Sequence, residues 1–220
     1  MPGWTDVLDF TFGPATLTAL ASGALYLPAQ TLLCVSDLHF GKSERLARRG
    51  GSLLPPYETR ATLDKLDLDL TRTGARAVIC LGDSFDDLAA ADSLDEASRQ
   101  RLRHLMAGRD WTWIEGNHDP GSLGLGGTHR AEISICGLTF RHEGGGKGYE
   151  VSGHFHPKAS LPGRGAKPCF LIGQTRLILP AYGTYTGGLR AEDPVFDGLL
   201  GPRARAILTG AKPLLIPRPR

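Results

Sequence analysis

No stretch of this 220-residue sequence approaches the roughly 20 consecutive apolar residues that a membrane-spanning helix requires. Its opening, MPGWTDVLDF, carries acids where a secretory leader carries a basic patch and an apolar run, so the expected compartment is the cytoplasm. Neither sign of charge dominates. Lys+Arg 25 against Asp+Glu 23 leaves a formal +2, too little for the whole surface to attract a polyanion, so any polyanion has to be gripped locally. Cysteine is scarce: Cys34, Cys80, Cys136 and Cys169 are far apart and form no CxxC pair, which excludes a thiolate zinc site or a redox motif. Each sits in an apolar run, so reduced core thiols are expected. There is no repeat period and no low-complexity tract, which excludes solenoid and fibrous architectures. With 41% hydrophobic and 22% charged residues, disorder is excluded for the bulk of the chain.

What the sequence has in quantity is punctuation. Gly 29 and Pro 15 cut it into short apolar runs. Leu32 to Ser36, Ala77 to Leu81, Trp111 to Glu115, Ile133 to Phe140 around Gly137, Glu150 to Ser152, Cys169 to Ile172 and Arg176 to Leu179 read as strands. Glu58 to Leu70 and Leu94 to Met106 carry apolar residues at helical spacing. The first half thus alternates strand and helix, which predicts a parallel arrangement; the strand-rich second half predicts antiparallel hairpins, and two sheets packed together in an α/β fold. No boundary divides residues 1–220, so one domain is expected, with 201–220 as an edge strand around Ala206 to Leu208 and a loose basic tail.

The polar residues gather at strand ends. LLCVSDLHFGK places Asp37 and His39 two apart, on one side of an extended chain. AVICLG runs into Gly82-Asp83, and TWIEG into Gly116-Asn117-His118-Asp119. Ligands of open parallel sheets bind outside the carboxyl ends of the strands, so three successive ends bring these groups together. LTFRHEG adds His142, and YEVSGHFHP adds His154 and His156, again two apart. His104 and His129 read as structural.

Asp37, His39, Asp83, Asn117, His142, His154 and His156 are oxygen and imidazole donors with no thiolate. Seven donors exceed one tetrahedral site, which predicts two divalent ions bridged by Asp83, with Mn, Fe or Zn compatible. Two such ions beside two carboxylates leave net positive charge in the cleft, suited to a phosphoester and an attacking water. His118, outside the ligand count, is expected to protonate the leaving oxygen, with Asp119 either orienting it or capping the turn before Pro120. Lys42, Arg45, Arg48 and Arg49 follow the first box and are candidates for flanking phosphates, as are Arg203, Arg205, Arg218 and Arg220. Tyr182 and Tyr185 are candidates for base stacking or for packing of their turn.

The ordered set Asp37-x-His39, Gly82-Asp83, Gly116-Asn117-His118-Asp119, His142, Gly153-His154-x-His156 resembles the calcineurin-type metallophosphoesterase superfamily across residues 37–156. The resemblance implies a four-layer α/β/β/α sandwich with two mixed sheets. It implies one ion on Asp37, His39, Asp83 and His156, the other on Asp83, Asn117, His142 and His154, and a catalytic His118. DLHFGK and the segment KPCFLIGQTRLILPAYGTYTGG resemble the bacterial DNA-ligase-associated metallophosphoesterases, regarded as DNA-damage-response endonucleases or phosphodiesterases. That similarity implies manganese dependence, a DNA phosphodiester substrate, and the company of an ATP-dependent DNA ligase, a helicase and an exonuclease. Nucleotides, cyclic nucleotides or phosphoproteins are alternative substrates for the same machinery, and a non-catalytic scaffold is the rival outside enzymology. In GDSFDD, Ser84 and Asp86 depart from the family pattern, and an acid there is expected to repel a substrate phosphate.

Overall fold

The computed structural model describes residues 5–48, 50, 55, 57–87, 89–90, 94–121 and 124–219. Its first sheet begins with a meander. Strands β1 (Val7–Phe12) and β2 (Ala15–Leu20) turn on Gly13-Pro14, where Gly13 takes a left-handed φ of +55°. β3 (Leu25–Leu27) and β4 (Leu32–Val35) continue antiparallel, and β5 (Ala77–Leu81), β6 (Asp110–Ile114) and β7 (Thr128–Arg130) then add parallel to β4. The strand order is the chain order. The three-strand opening was not foreseen from the sequence; the parallel half was.

The second sheet contains β8 (Glu132–Ile135), β9 (Leu138–Arg141), β10 (Tyr149–Ser152), β12 (Lys167–Ile172), β13 (Arg176–Ile178), β14 (Arg205–Leu208) and β15 (Leu214–Pro217), with the two-residue β11 (Lys158–Ala159) on β12. Its order is β15-β14-β12-β13-β10-β9-β8. The antiparallel hairpins expected of the second half form only in part, because β10 pairs parallel with both β9 and β13. A crossover from His142 back to Tyr149 makes this possible: buried Glu150 accepts the amides of Gly145 (3.2 Å) and Gly146 (2.8 Å) and pairs with Arg176, pinning the glycine loop over the sheet.

Side chains alternate into three apolar layers. Leu33, Val35, Val78 and Cys80 face helices α2 (Glu58–Thr73) and α3 (Glu96–Met106), meeting Leu63, Leu66, Leu70, Leu102 and Leu105. Leu32, Cys34, Ile79 and Leu81 point the other way, into the core shared with Phe140, Val151, Phe170 and Leu177 of the second sheet. Beyond that sheet, Cys169, Leu171 and Ile178 pack against Phe196 and Leu200 of the short helix α4 (Val195–Leu200). The architecture is therefore the expected four layers of two mixed sheets between helices, with a thin fourth layer. Helix ends follow their local chemistry: Gly74 closes α2 in a left-handed conformation, and Asp95 caps α3 by accepting the Ser98 amide at 2.9 Å. α1 (Lys42–Arg48) follows His39 directly.

Two sequence expectations fail at the periphery. The run Ala206 to Leu208 lies in β14, between β12 and β15, so β15 is the edge, and no loose tail follows as far as Arg218. Arg218 is buried, donating to Ala191 O at 2.6 Å and pairing with Asp197 at 2.7 Å, so it is not available to DNA; Arg220 lies outside the described residues. Because the Arg218 amide bonds inward to Ala204 O, Pro217 presents its missing N–H outward, which blocks strand addition at the edge. Cys136 is exposed in the β8–β9 turn, unlike the other three cysteines. No helix among the described residues is long and apolar enough to cross a membrane.

Candidate metal centre

Strands β4, β5 and β6 of one sheet and β9 and β10 of the other release the chain into loops that converge. Two main-chain bonds tie the first two loops together: Asp37 N donates to Gly82 O (3.2 Å) and His39 N to Asp83 O (3.0 Å). Across the sheets, Gly153 N donates to His142 O (3.0 Å), and His154 N donates to the Asp37 carboxylate at 3.1 and 3.2 Å. Packing is close enough to exclude side chains. A Cβ on Gly116 would collide with the Asp83 amide and carboxylate, and one on Gly153 with Ser36 Oγ and Asp37 Oδ2.

The backbone here is strained. Among the described residues, eight that are not glycine have left-handed φ, and five of them are Asp37 (+53°), His39 (+47°), Asp83 (+45°), His154 (+70°) and His156 (+47°). Such a conformation costs an L-residue about 1–2 kcal/mol. Its concentration at one spot, where surrounding bonds over-determine it, marks a functional cluster.

Among the described residues the side chains form three donor groups, His39–Asp86–His118 within the loops of the first sheet and two that span both sheets. His156 Nε2 lies 3.1 Å from Asp37 Oδ1 and 3.3 Å from His39 Nε2. His142 Nε2 lies 3.4 Å from Asp83 Oδ2 and 3.2 Å from His154 Nδ1. Each trio, Asp37–His39–His156 and Asp83–His142–His154, has its ligand atoms close enough to hold an ion. His142 Nδ1 also stands 3.8 Å from Asp37 Oδ1, so Asp37 touches both of these trios. Asn117 is exposed on the loop between Gly116 and His118. His118 N donates to Asp83 Oδ1 at 2.9 Å, and its ring, 34% exposed, presents Nε2 4.0 Å from Asp83 Oδ2.

The electrostatics call for positive charge. Burial works against ionising His142, yet its bond to Asp83 and the charges of Asp37 and Asp83 push its imidazole up to about 9. Asp83 meets the same contest, and His142 and His118 hold its carboxyl well below the usual range despite burial. Imidazole nitrogens packed against one another and against carboxylates, with no thiolate, suit divalent cations of intermediate hardness. The residues therefore fit a pair of such ions.

Several sequence expectations are corrected here. Asp119 does not address His118: its buried carboxylate accepts the amides of Ser84 (2.7 Å), Phe85 (3.1 Å) and Gly116 (3.2 Å), clamping two ligand loops. Burial, reinforced by the Asp83 charge, pushes that carboxyl up to about 6. Asp86 does not face a substrate phosphate. Its buried carboxylate is 2.8 Å from His39 Nδ1 and 2.6 Å from Arg45 Nη1, and its carbonyl accepts from His118 Nδ1 at 2.8 Å. Arg45 is thereby committed to Asp86, and Arg48 to Asp87 at 2.8 Å, so neither is a free phosphate grip. Arg49 lies outside the described residues. Lys42 is half-buried at the start of α1 and near enough to Asp86 to help hold its carboxyl low. Tyr182 is fully buried, its hydroxyl donating to Asp69 Oδ2 at 2.8 Å, which leaves no face for a base. His129 lies on β7 and stacks on Trp113, in keeping with a structural role.

The sequence reading missed Ser36, whose hydroxyl donates to Asp37 Oδ2 at 2.5 Å, and the supporting role of Asp86. Asp86 carried a signal, an acid three residues after Asp83; Ser36 carried none beyond its place before Asp37.

No family model matches the chain, and no curated protein does. Among solved structures, the nuclease MPE of Pseudomonas putida aligns with a TM-score of 0.76 and 29% identity, over 94% of this chain and 100% of that one. YfcE, a phosphoesterase from E. coli, aligns with a TM-score of 0.41 and 15% identity, over 86% of this chain and 99% of that one. The likeness of fold rests on the first of these.

Proposed function

We propose that this chain, a phosphoester hydrolase of the metallophosphoesterase superfamily, is a dinuclear-metal phosphodiesterase that cuts DNA in the course of DNA repair. The observation that carries the reading is the meeting of two donor trios, each reaching across both sheets, beside a half-buried His118. The 29% identity to a nuclease along the full length of that protein supports the choice of substrate. One ion would be held by Asp37, His39, Asp83 and His156, the other by Asp83, Asn117, His142 and His154. Manganese is the proposed metal, zinc and iron being compatible with the same donors. When bound, such ions supply Lewis acidity toward the phosphoryl oxygens and the attacking water.

The chain's own contribution is orientation and a proton. His118 Nδ1 donates to the Asp86 carbonyl, which fixes the ring and turns Nε2 toward the pocket. In the imidazolium form, Nε2–H gives its proton to the departing oxygen of the cleaved strand. Asp119 holds the Ser84, Phe85 and Gly116 amides, so the loops bearing Asp83 and His118 keep their spacing. Lys42 is the basic residue of α1 left to meet a flanking phosphate. The proposed setting is the cytoplasm, in company with an ATP-dependent DNA ligase, a helicase and an exonuclease; co-purification tests that company.

The decisive experiment strips the protein, reloads it with one metal at a time, and compares circular DNA, a model diester and a model monoester. Nicking and diester hydrolysis restored by manganese support the reading. Brisk monoester hydrolysis without nicking rejects it in favour of a phosphatase.

A further inference from the structure

The segment after β13 forms a strap that rests on both ligand-bearing loops. At one foot, Tyr182 N donates to Ser36 O (2.7 Å) and Gly183 N to Asp37 O (3.0 Å). Gly183 lies so close to the Leu38 carbonyl that a Cβ would collide with it. At the other foot, Leu189 N donates to Phe155 O (3.1 Å), and a Cβ on Gly188 would collide with the His156 carbonyl. The span between is pinned: Thr184 N donates to Thr62 Oγ1 (3.1 Å), Thr186 Oγ1 to Gly183 O (3.1 Å), and Lys158 Nζ to Thr186 O (2.9 Å).

At the middle of this pinned span stands Tyr185. Its φ is +62°, a left-handed conformation rare for an aromatic residue, and it is 41% exposed. Among the described residues its ring has no hydrogen-bond or aromatic partner. Glycines lie at 183, 187 and 188, yet the strained position carries a large aromatic side chain. A strained residue held by its surroundings and displaying an unpartnered ring is a feature that packing alone does not require. The loops under its feet carry Asp37 and His156, so the strap that displays Tyr185 borders the metal centre. A net charge of +2 leaves little general attraction for DNA, and a rigid aromatic face supplies sequence-tolerant affinity that charge does not.

We propose that Tyr185 is a stacking platform for the nucleobase next to the scissile phosphate. This rests on the DNA reading above, and it names the element that separates a nucleic-acid strand from a small phosphodiester.

The test uses single-stranded oligonucleotides containing 2-aminopurine, whose fluorescence is quenched on stacking, titrated with manganese-loaded protein in the His118→Ala background. Tyr185→Ala and Tyr185→Leu are expected to weaken binding at least fivefold and to lose quenching, while Tyr185→Phe retains both. In protein with His118 intact, the ratio of kcat/KM on DNA to kcat/KM on bis(p-nitrophenyl) phosphate is expected to fall at least fivefold in Tyr185→Ala. Equal quenching in Tyr185→Leu and the parent, or an unchanged substrate ratio, overturns the proposal. Failure of the DNA reading itself would look different: the parent protein would neither bind nor cleave the oligonucleotide whatever stands at 185.

Discussion

Asp86 places its carboxylate 2.8 Å from Nδ1 of His39, on the side of the ring opposite the nitrogen that faces His156. A carboxylate behind a ligating imidazole fixes its orientation and raises its basicity. Asp86→Asn keeps the shape and the main-chain carbonyl that holds His118, and removes the charge and one of the two acceptors that face His39 and Arg45. Affinity for the ion that His39 would hold is expected to fall about 10- to 100-fold, read by calorimetric titration with manganese. An unchanged binding curve would show that His39 needs no such support.

His118→Ala is expected to spare metal binding and to slow DNA cleavage about 10²- to 10⁴-fold. The loss should be much smaller with a p-nitrophenyl leaving group, which departs without a proton. Equal losses on the two substrates would remove His118 from proton delivery.

Lys65 gives the fold a pH dependence away from the metal centre. Burial lowers its ammonium to about 8, against the pull of Asp69, while its Nζ donates to the Tyr182 carbonyl at 2.5 Å. Between about 8 and the ordinary lysine value of 10.5, the unfolded chain binds more protons at this residue than the folded one, so its contribution to stability rises with pH across that window. Urea midpoints of the parent protein minus those of Lys65→Met are therefore expected to increase from pH 8 to pH 10. A flat difference would contradict the assignment.

Gly153→Ala tests the close approach of the two sheets' loops. The added methyl meets Ser36 Oγ and Asp37 Oδ2, and a destabilisation of about 1–3 kcal/mol is expected. Combining it with Ser36→Ala should relieve part of that loss, a coupling measurable by a double-mutant cycle. Strict additivity would place the strain elsewhere.

Much of this could be read from the sequence because strand ends are local. An apolar run stopped by Gly82-Asp83 or Gly116-Asn117 announces both the strand and the place where it delivers polar groups, and the leucines of α2 announce their own face. The parallel placement of β10 depended on how a glycine loop crosses a sheet, which no local pattern encodes. Asp86 and Asp119 were visible as acids, but their directions are set by partners far along the chain: His39 and Arg45 for one, the Ser84 and Phe85 amides for the other. The meander of β1 to β3 was legible in its alternation around Gly13-Pro14 and was simply not read as strands.

Asp37, His39 and Asp83 hang from one sheet, while His142, His154 and His156 hang from its neighbour. A partly folded or truncated product that contains one sheet alone therefore owns half a cradle, with both acids and one imidazole on one fragment and three imidazoles on the other. Topology thus withholds a complete set of donors until the two halves have met, and any ion bound there would be a clasp that keeps them together.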